Sequence, residues 1–151
     1  MTTPNAGLDW RSHLIDDTAG IRRILDNTRR VAVLGIKTDP DQPAYYVPEY
    51  AQNAGWEIVP VPVYYPEVTE ILGERVYRKV ADIPGDVDMV NVFRRSFDVL
   101  PHVDDIIERR LKSVWMQMGI RNVVAAERLA RAGIDVVQDR CLMVEMRRHL
   151  R

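Results

Sequence analysis

The stretch Val31 to Pro43, VAVLGIKTDPDQP, constrains this chain more than any other. Its β-branched and small apolar residues run on without a polar alternation. That is the pattern of a strand covered on both faces, as in a parallel sheet between layers of helices. Gly35 allows a tight departure from the strand, and Pro43 suits the first position of a following helix. In an open parallel sheet, ligands bind in loops at the carboxyl ends of the strands beside the topological switch point, where backbone amides and helix N-termini converge.

The rest of the chain repeats the alternation. Asp17 or Thr18 can cap a helix with Ile21, Ile24 and Leu25 at helical spacing, and Arg29 and Arg30 follow where the helix dipole favours cations. From Pro43, a second helix turns Val47, Ala51 and Ala54 toward the sheet and ends at Gly55; Pro48, past its first turn, predicts a kink or a fresh start. Glu57 to Val61 reads as the second strand, Arg75 to Tyr77 as a short third and Val80 to Ile83 as a single helical turn. The strands DVDMVNVF, KSVWMQM and Ile134 to Val137 then alternate with two helices. The first, SFDVLPHVDDIIERRL, has Ser96 or Asp98 as its cap; the second, NVVAAERLARAG, is closed by Gly133, and a basic helix from Leu142 to Leu150 ends the chain.

The fold class is α/β: a single Rossmann-like, doubly wound parallel sheet with flanking helices, in strand order 3-2-1-4-5-6 or a truncated relative of it. Residues 1–30 form an N-terminal arm and helix, with residues 1–7 frayed and Leu8, Trp10, Leu14 and Ile15 as anchors; residues 31–151 form the binding domain. Three loops should meet at the switch point: Gly35 to Gln42, Phe93 to Phe97, and Gln117 to Asn122.

A length of 151 residues suits one domain, and a net charge of −1 removes any whole-molecule argument for nucleic acid or an anionic membrane. The N-terminus MTTPNAGLDW has no apolar signal core, and the apolar runs are strand-sized, far below the ~20 residues of a membrane span. A single cysteine, Cys141, closes no internal disulfide, and the histidines show no metal-ligand spacing. The expected setting is the reducing cytoplasm, with an exposed helix face or the tyrosine-rich loop after the second strand available for a homodimer.

The predicted crevice lacks the dinucleotide fingerprint. One glycine replaces G-x-G-x-x-G, and the second strand ends in Val61 and Pro62 with no carboxylate for a ribose. NAD is disfavoured, and NADP slightly less so. Lys37 and Thr38 offer an ammonium and a hydroxyl to phosphate, and Arg94 and Arg95 stand on the opposite wall, where they could equally pair with nearby carboxylates. Gly119 permits close backbone approach, Asn122 can cap the next helix, and Tyr64 and Tyr65 can stack on a base.

The segments VAVLGIKTDPDQPAYYV, ILGERVYRKVADIP, VDMVNVFRR, VWMQMGIRN and DVVQDRCLM, in that order between Val31 and Val144, resemble the small stand-alone CoA-binding proteins. Those proteins look like the nucleotide-binding domain of the succinyl-CoA synthetase α subunit. The resemblance implies a Rossmann-like fold holding coenzyme A. The loop Gly35, Ile36, Lys37 and Thr38 would lie near its phosphates, Pro62 under the adenine and ribose, and Phe93, Arg94, Met118, Gly119 and Ile120 along the remaining crevice. Where the family often has Ala-Ser-Pro after the first glycine this chain has Ile36, Lys37 and Thr38, and Val63 and Tyr64 stand where it often has Asn-Pro. The implied role is a non-catalytic or regulatory module that binds coenzyme A or an acyl-CoA, with backbone amides at Gly35 and Gly119 on the pyrophosphate. A nucleotide-dependent enzyme and an interaction protein that has lost its ligand are the alternatives.

Overall fold

The computed structural model describes residues 9–150. The expected frayed arm over residues 1–7 and the Leu8 anchor lie outside the described residues. In chain order the elements are α1 (Thr18–Asp26), β1 (Arg30–Leu34), α2 (Pro43–Asn53), β2 (Glu57–Val61), β3 (Glu70–Ile71), β4 (Glu74–Arg75), β5 (Met89–Val92), α3 (Val103–Arg109), β6 (Ser113–Met116), α4 (Val123–Arg131), β7 (Asp135–Val137) and α5 (Leu142–His149). Five strands form a parallel sheet in the order β2-β1-β5-β6-β7, while β3 and β4 make a separate antiparallel hairpin. This is an α/β Rossmann-like fold.

Side-chain alternation along the strands feeds two cores. Val31 and Val33 of β1, Ile58, Met89, Trp115 and Val137 pack against α1, α2 and α5 through Ile21, Leu25, Val47, Ala51, Leu142 and Met146. Ala32 and Leu34, with Val59, Val90, Val92, Val114 and Met116, pack on the other face against Val103 and Ile106 of α3 and Ala126 and Leu129 of α4. Both faces are covered, so even the central strands carry no polar face.

Local chemistry sets most helix ends. The Asp17 carboxylate caps α1 by accepting the Gly20 N–H, and Arg29 donates to the carbonyls of Asp26 and Thr28 at the other end. The Asn122 side chain accepts the Ala125 N–H and caps α4. Gly55 and Gly133 leave α2 and α4 at positive φ. The arm contributes a 3-10 turn at Trp10–His13, and Leu14 then bridges to Val136 at the free edge of β7, with the Ile15 N–H donating to the Val136 carbonyl.

Three sequence expectations need correction. Glu74 and Arg75 pair with β3 rather than extending the main sheet; the expected third strand contributes only a bond from the Tyr77 N–H to the Pro60 carbonyl at the edge of β2. The helix expected from Ser96 begins as two 3-10 turns, Ser96–Asp98 and Leu100–His102, and becomes α-helical only at Val103. Neither Ser96 nor Asp98 caps it, because the Asp98 carboxylate is engaged by Arg95 and the Ser96 hydroxyl accepts the Arg121 N–H. Finally, of the two outcomes expected at Pro48, a kink or a fresh start, the fresh start is absent, since α2 runs through it as one helix. Among the described residues no helix is long and apolar enough to cross a membrane.

Candidate binding crevice at the switch point

The chain winds from β1 outward to β2, then returns to the other side of β1 and proceeds through β5, β6 and β7. The switch point therefore lies between β1 and β5, whose carboxyl ends are Leu34 and Val92. The Gly35 N–H donates to the Val61 carbonyl, the Phe93 N–H donates to the Leu34 carbonyl, and Gly35 has φ +89°. A Cβ at Gly35 would overlap the carbonyl oxygen of Phe93. Two strand ends thus approach closely enough that only glycine fits between them.

Beside this junction lies an open crevice of about 380 Å³. All three predicted loops reach it. Lys37, Phe93, Arg94, Arg95, Met118, Gly119 and Ile120 line it together with Gln42, Pro43, Ala44 and Gln117. The amino end of α2 also faces it, because Gln42 is the N-cap of that helix and makes no side-chain cap bond, and Pro43 and Ala44 open its first turn. Pro43 has no N–H and those of Tyr45 and Tyr46 donate to the Gln42 carbonyl, so the Ala44 N–H, which has no acceptor among the described residues, and the positive end of the dipole are what favour an anion here.

The charges are not equivalent. Arg94 lies 3.7 Å and Arg95 2.9 Å from the same Asp98 carboxylate oxygen, and Arg95 also stacks over Phe97 at 4.6 Å. Arg94 is mostly buried, and its Nε has no acceptor among the described residues. Lys37, in contrast, enters no ion pair among the described residues. Behind Arg94, burial first and then the Arg94 charge hold His102 below the ordinary histidine value, with Asp105 and Asp98 pulling the other way.

Of the remaining predicted residues, Ile36 is buried in the core and Thr38 is exposed outside the crevice lining. Pro62 is buried, while Val63 and Tyr64 are exposed on the loop that follows β2 at the same sheet end, and none of the three lines the crevice. Arg78 holds that loop by donating to the carbonyls of Tyr64, Tyr65 and Val68. Asn122 does not line the crevice but ties its walls, since its Nδ2 donates to the Ser96 carbonyl. The amides of Gly35 and Gly119 are unavailable to a pyrophosphate: the first donates to Val61 and the second to the Asp139 carboxylate at 2.6 Å. The N–H groups of Ile36 and Arg94 have no acceptor among the described residues and stand at the same strand ends.

Gln42 and Gln117 bound two of the predicted loops, but the sequence reading gave neither a role of its own. Gln42 carried a signal, its position just before a helix-starting proline. Gln117 follows β6 and is buried, and its Oε1 accepts the Leu142 N–H and lies 3.4 Å from the amide nitrogen of buried Asn91. It joins the crevice floor to the start of α5, where half-buried Cys141 is the N-cap.

Residues 29–147 match the protein family described as CoA binding domain. YneT of Bacillus subtilis (strain 168), described as uncharacterized, is 35% identical over 126 residues, covering 83% of this chain and 91% of the relative. Among solved structures, the Thermus thermophilus protein known as cell-free ID.343 superposes with a TM-score of 0.82 at 36% identity, over 89% of this chain and 100% of that one. The Ca. Korarchaeum cryptofilum dinucleotide-forming acetyl-coenzyme A synthetase 1, solved with phosphate and ADP, superposes with a TM-score of 0.62 at 25% identity. That match spans 74% of this chain and 26% of the synthetase.

Proposed function

Since this chain belongs to the CoA binding domain family, we propose that it binds coenzyme A in the switch-point crevice as a non-catalytic or regulatory module. The observation that carries the reading is the convergence of Lys37, Arg94 and Arg95 with the amino end of α2 on one side of a narrow strand junction. Three phosphates need such a concentration of donors, and a protein of net charge −1 supplies it only locally.

In this reading Lys37 and Arg94 take the phosphates, assisted by the free N–H groups of Ile36 and Arg94, and Thr38 adds a hydroxyl at the mouth. Arg95 screens the outer phosphate, and Asp98 positions both guanidinium groups. Pro62, Val63 and Tyr64 lie under the adenosine. Met118, Gly119 and Ile120 flank the pantetheine arm, with Asn122 bracing their loop and Gly35 and Phe93 setting the crevice width. The lining offers charge and hydrogen-bond donors for holding a ligand. The setting for this role is the cytoplasm.

Calorimetry on the full chain tests the reading. Coenzyme A should bind at micromolar concentration, and removal of its 3′-phosphate or the change Lys37→Ala should each weaken binding about tenfold or more, as loss of one charge-assisted contact requires. Equal affinity for NADP and CoA, or no heat with either, would overturn it.

A further inference from the structure

Beyond the cationic part of the crevice, four large apolar side chains stand in water: Phe97 is 69% exposed, Met118 62%, Val123 69% and Val124 58%. They belong to one junction. The Ser96 hydroxyl accepts the Arg121 N–H at 3.0 Å, and Asn122 Nδ2 donates to the Ser96 carbonyl at 2.8 Å, so Phe97 and Val123 each leave the same pinned contact by one residue. Met118 lines the crevice itself and joins it to this rim. The fold makes no use of Val123 and Val124, because the buried face of α4 consists of Ala125, Ala126, Leu129 and Ala130.

We infer, resting on the CoA reading above, that the crevice is built for an acyl thioester of coenzyme A and that this rim shelters the acyl chain. The direction of the ligand follows from the order of the strands. Lys37 follows β1 and Arg94 follows β5, whereas Met118 follows β6, the next strand outward. Phosphates held over β1 and β5 leave the thiol end pointing across β6 toward Phe97, Met118, Val123 and Val124. A free thiol is small and polar and covers none of that surface. A short hydrocarbon chain covers it, and the polarity of the walls then matches that of the ligand from end to end.

The test is a calorimetric series on the full chain with CoA and its acetyl, butanoyl, hexanoyl and octanoyl thioesters. Affinity should rise about twofold to fourfold per methylene, the range between partial and full burial of the group. The readout is this slope. Val123→Ser with Val124→Ser should flatten it, and Phe97→Ser, on a different loop, should do the same, with thermal melting confirming that each variant folds. A flat series in a protein that still binds CoA overturns this inference alone. Concentration-dependent dimerisation abolished by the double variant, together with a flat series, assigns the rim to a second copy and also overturns it. Failure of every ligand to bind, CoA included, overturns the CoA reading as well.

Discussion

The backbone N–H of Lys37 donates to the carbonyl of Ala44 at 3.2 Å, and that carbonyl is available because Pro48, four residues on, has no N–H to offer it. An imperfection in α2 thus becomes the anchor of the loop that follows β1. Pro48→Ala would supply a second donor for the same carbonyl. We expect the Lys37 amide to exchange with solvent about fivefold faster, the equivalent of the ~1 kcal/mol that a neutral hydrogen bond contributes. CoA affinity should fall severalfold as the loop loosens. An unchanged exchange rate would show that the helix bond does not compete.

The contact between Gly35 and Phe93 is less tolerant. Gly35→Ala adds a Cβ inside the van der Waals radius of a backbone oxygen that cannot rotate away, at a φ of +89°. Strain at the φ and displacement of the strand end together should cost about 3 kcal/mol or more in urea unfolding. Gly133→Ala is the control. Its φ is +83° but no atom lies within 4 Å of the added carbon, so only the φ penalty of about 1 kcal/mol should appear. Equal losses at the two sites would mean that the β1–β5 junction relaxes around the methyl group.

The location of the crevice was legible in the sequence because it depends on topology, and topology follows from the alternation of strands and helices. Asp17, Asn122, Gly55 and Gly133 were legible for a local reason, since each acts within a few residues of itself. Residues whose role depends on a distant partner were not. Nothing near Gly119 announces that Asp139, twenty residues on, takes its N–H, whereas the pairing of Arg94 and Arg95 with a nearby carboxylate was open in the sequence and is made by Asp98, three and four residues away. The hairpin at Glu70–Arg75 was missed because strands of two residues carry no periodicity.

Asp88 sits where the chain enters β1 and β5. Its Oδ2 accepts the N–H groups of both Arg29 and Arg30 at 2.9 Å, and Lys112 lies 3.2 Å from its Oδ1. Burial pushes its pKa up, but the bonds from Arg30, Arg29 and Lys112 outweigh burial and hold it below the ordinary aspartate value. A carboxylate with a depressed folded-state pKa contributes its full stability above the unfolded value of about 3.9 and loses it as pH falls through the folded one. Asp88→Asn should therefore cost about 1–3 kcal/mol at neutral pH and flatten the loss of stability below about pH 4. An acid limb as steep as that of the parent protein would remove Asp88 as its source.

On the CoA reading, His102 links proton uptake to phosphate binding at Arg94. Desolvation first and then Arg94 lower its pKa, so the neutral ring is favoured in the fold; this contribution is complete above the unfolded value of about 6.5 and is lost as pH falls through the lower folded value. A phosphate bound at Arg94 would offset the second cause and leave the first, raising His102 part of the way back. CoA binding should then be accompanied by proton uptake below the ordinary histidine value of about 6.5. The ligand's own phosphate titrates in the same range and acts in the opposite direction, because its dianion binds better, so the parent protein alone does not separate the two effects. The comparison with His102→Gln does. Calorimetry in two buffers of different ionisation enthalpy should show greater proton uptake by the parent protein than by the variant at pH 6, and no difference at pH 8. Equal uptake at pH 6 would mean that the phosphates bind away from Arg94, leaving Lys37 and the amino end of α2 as the principal anion site.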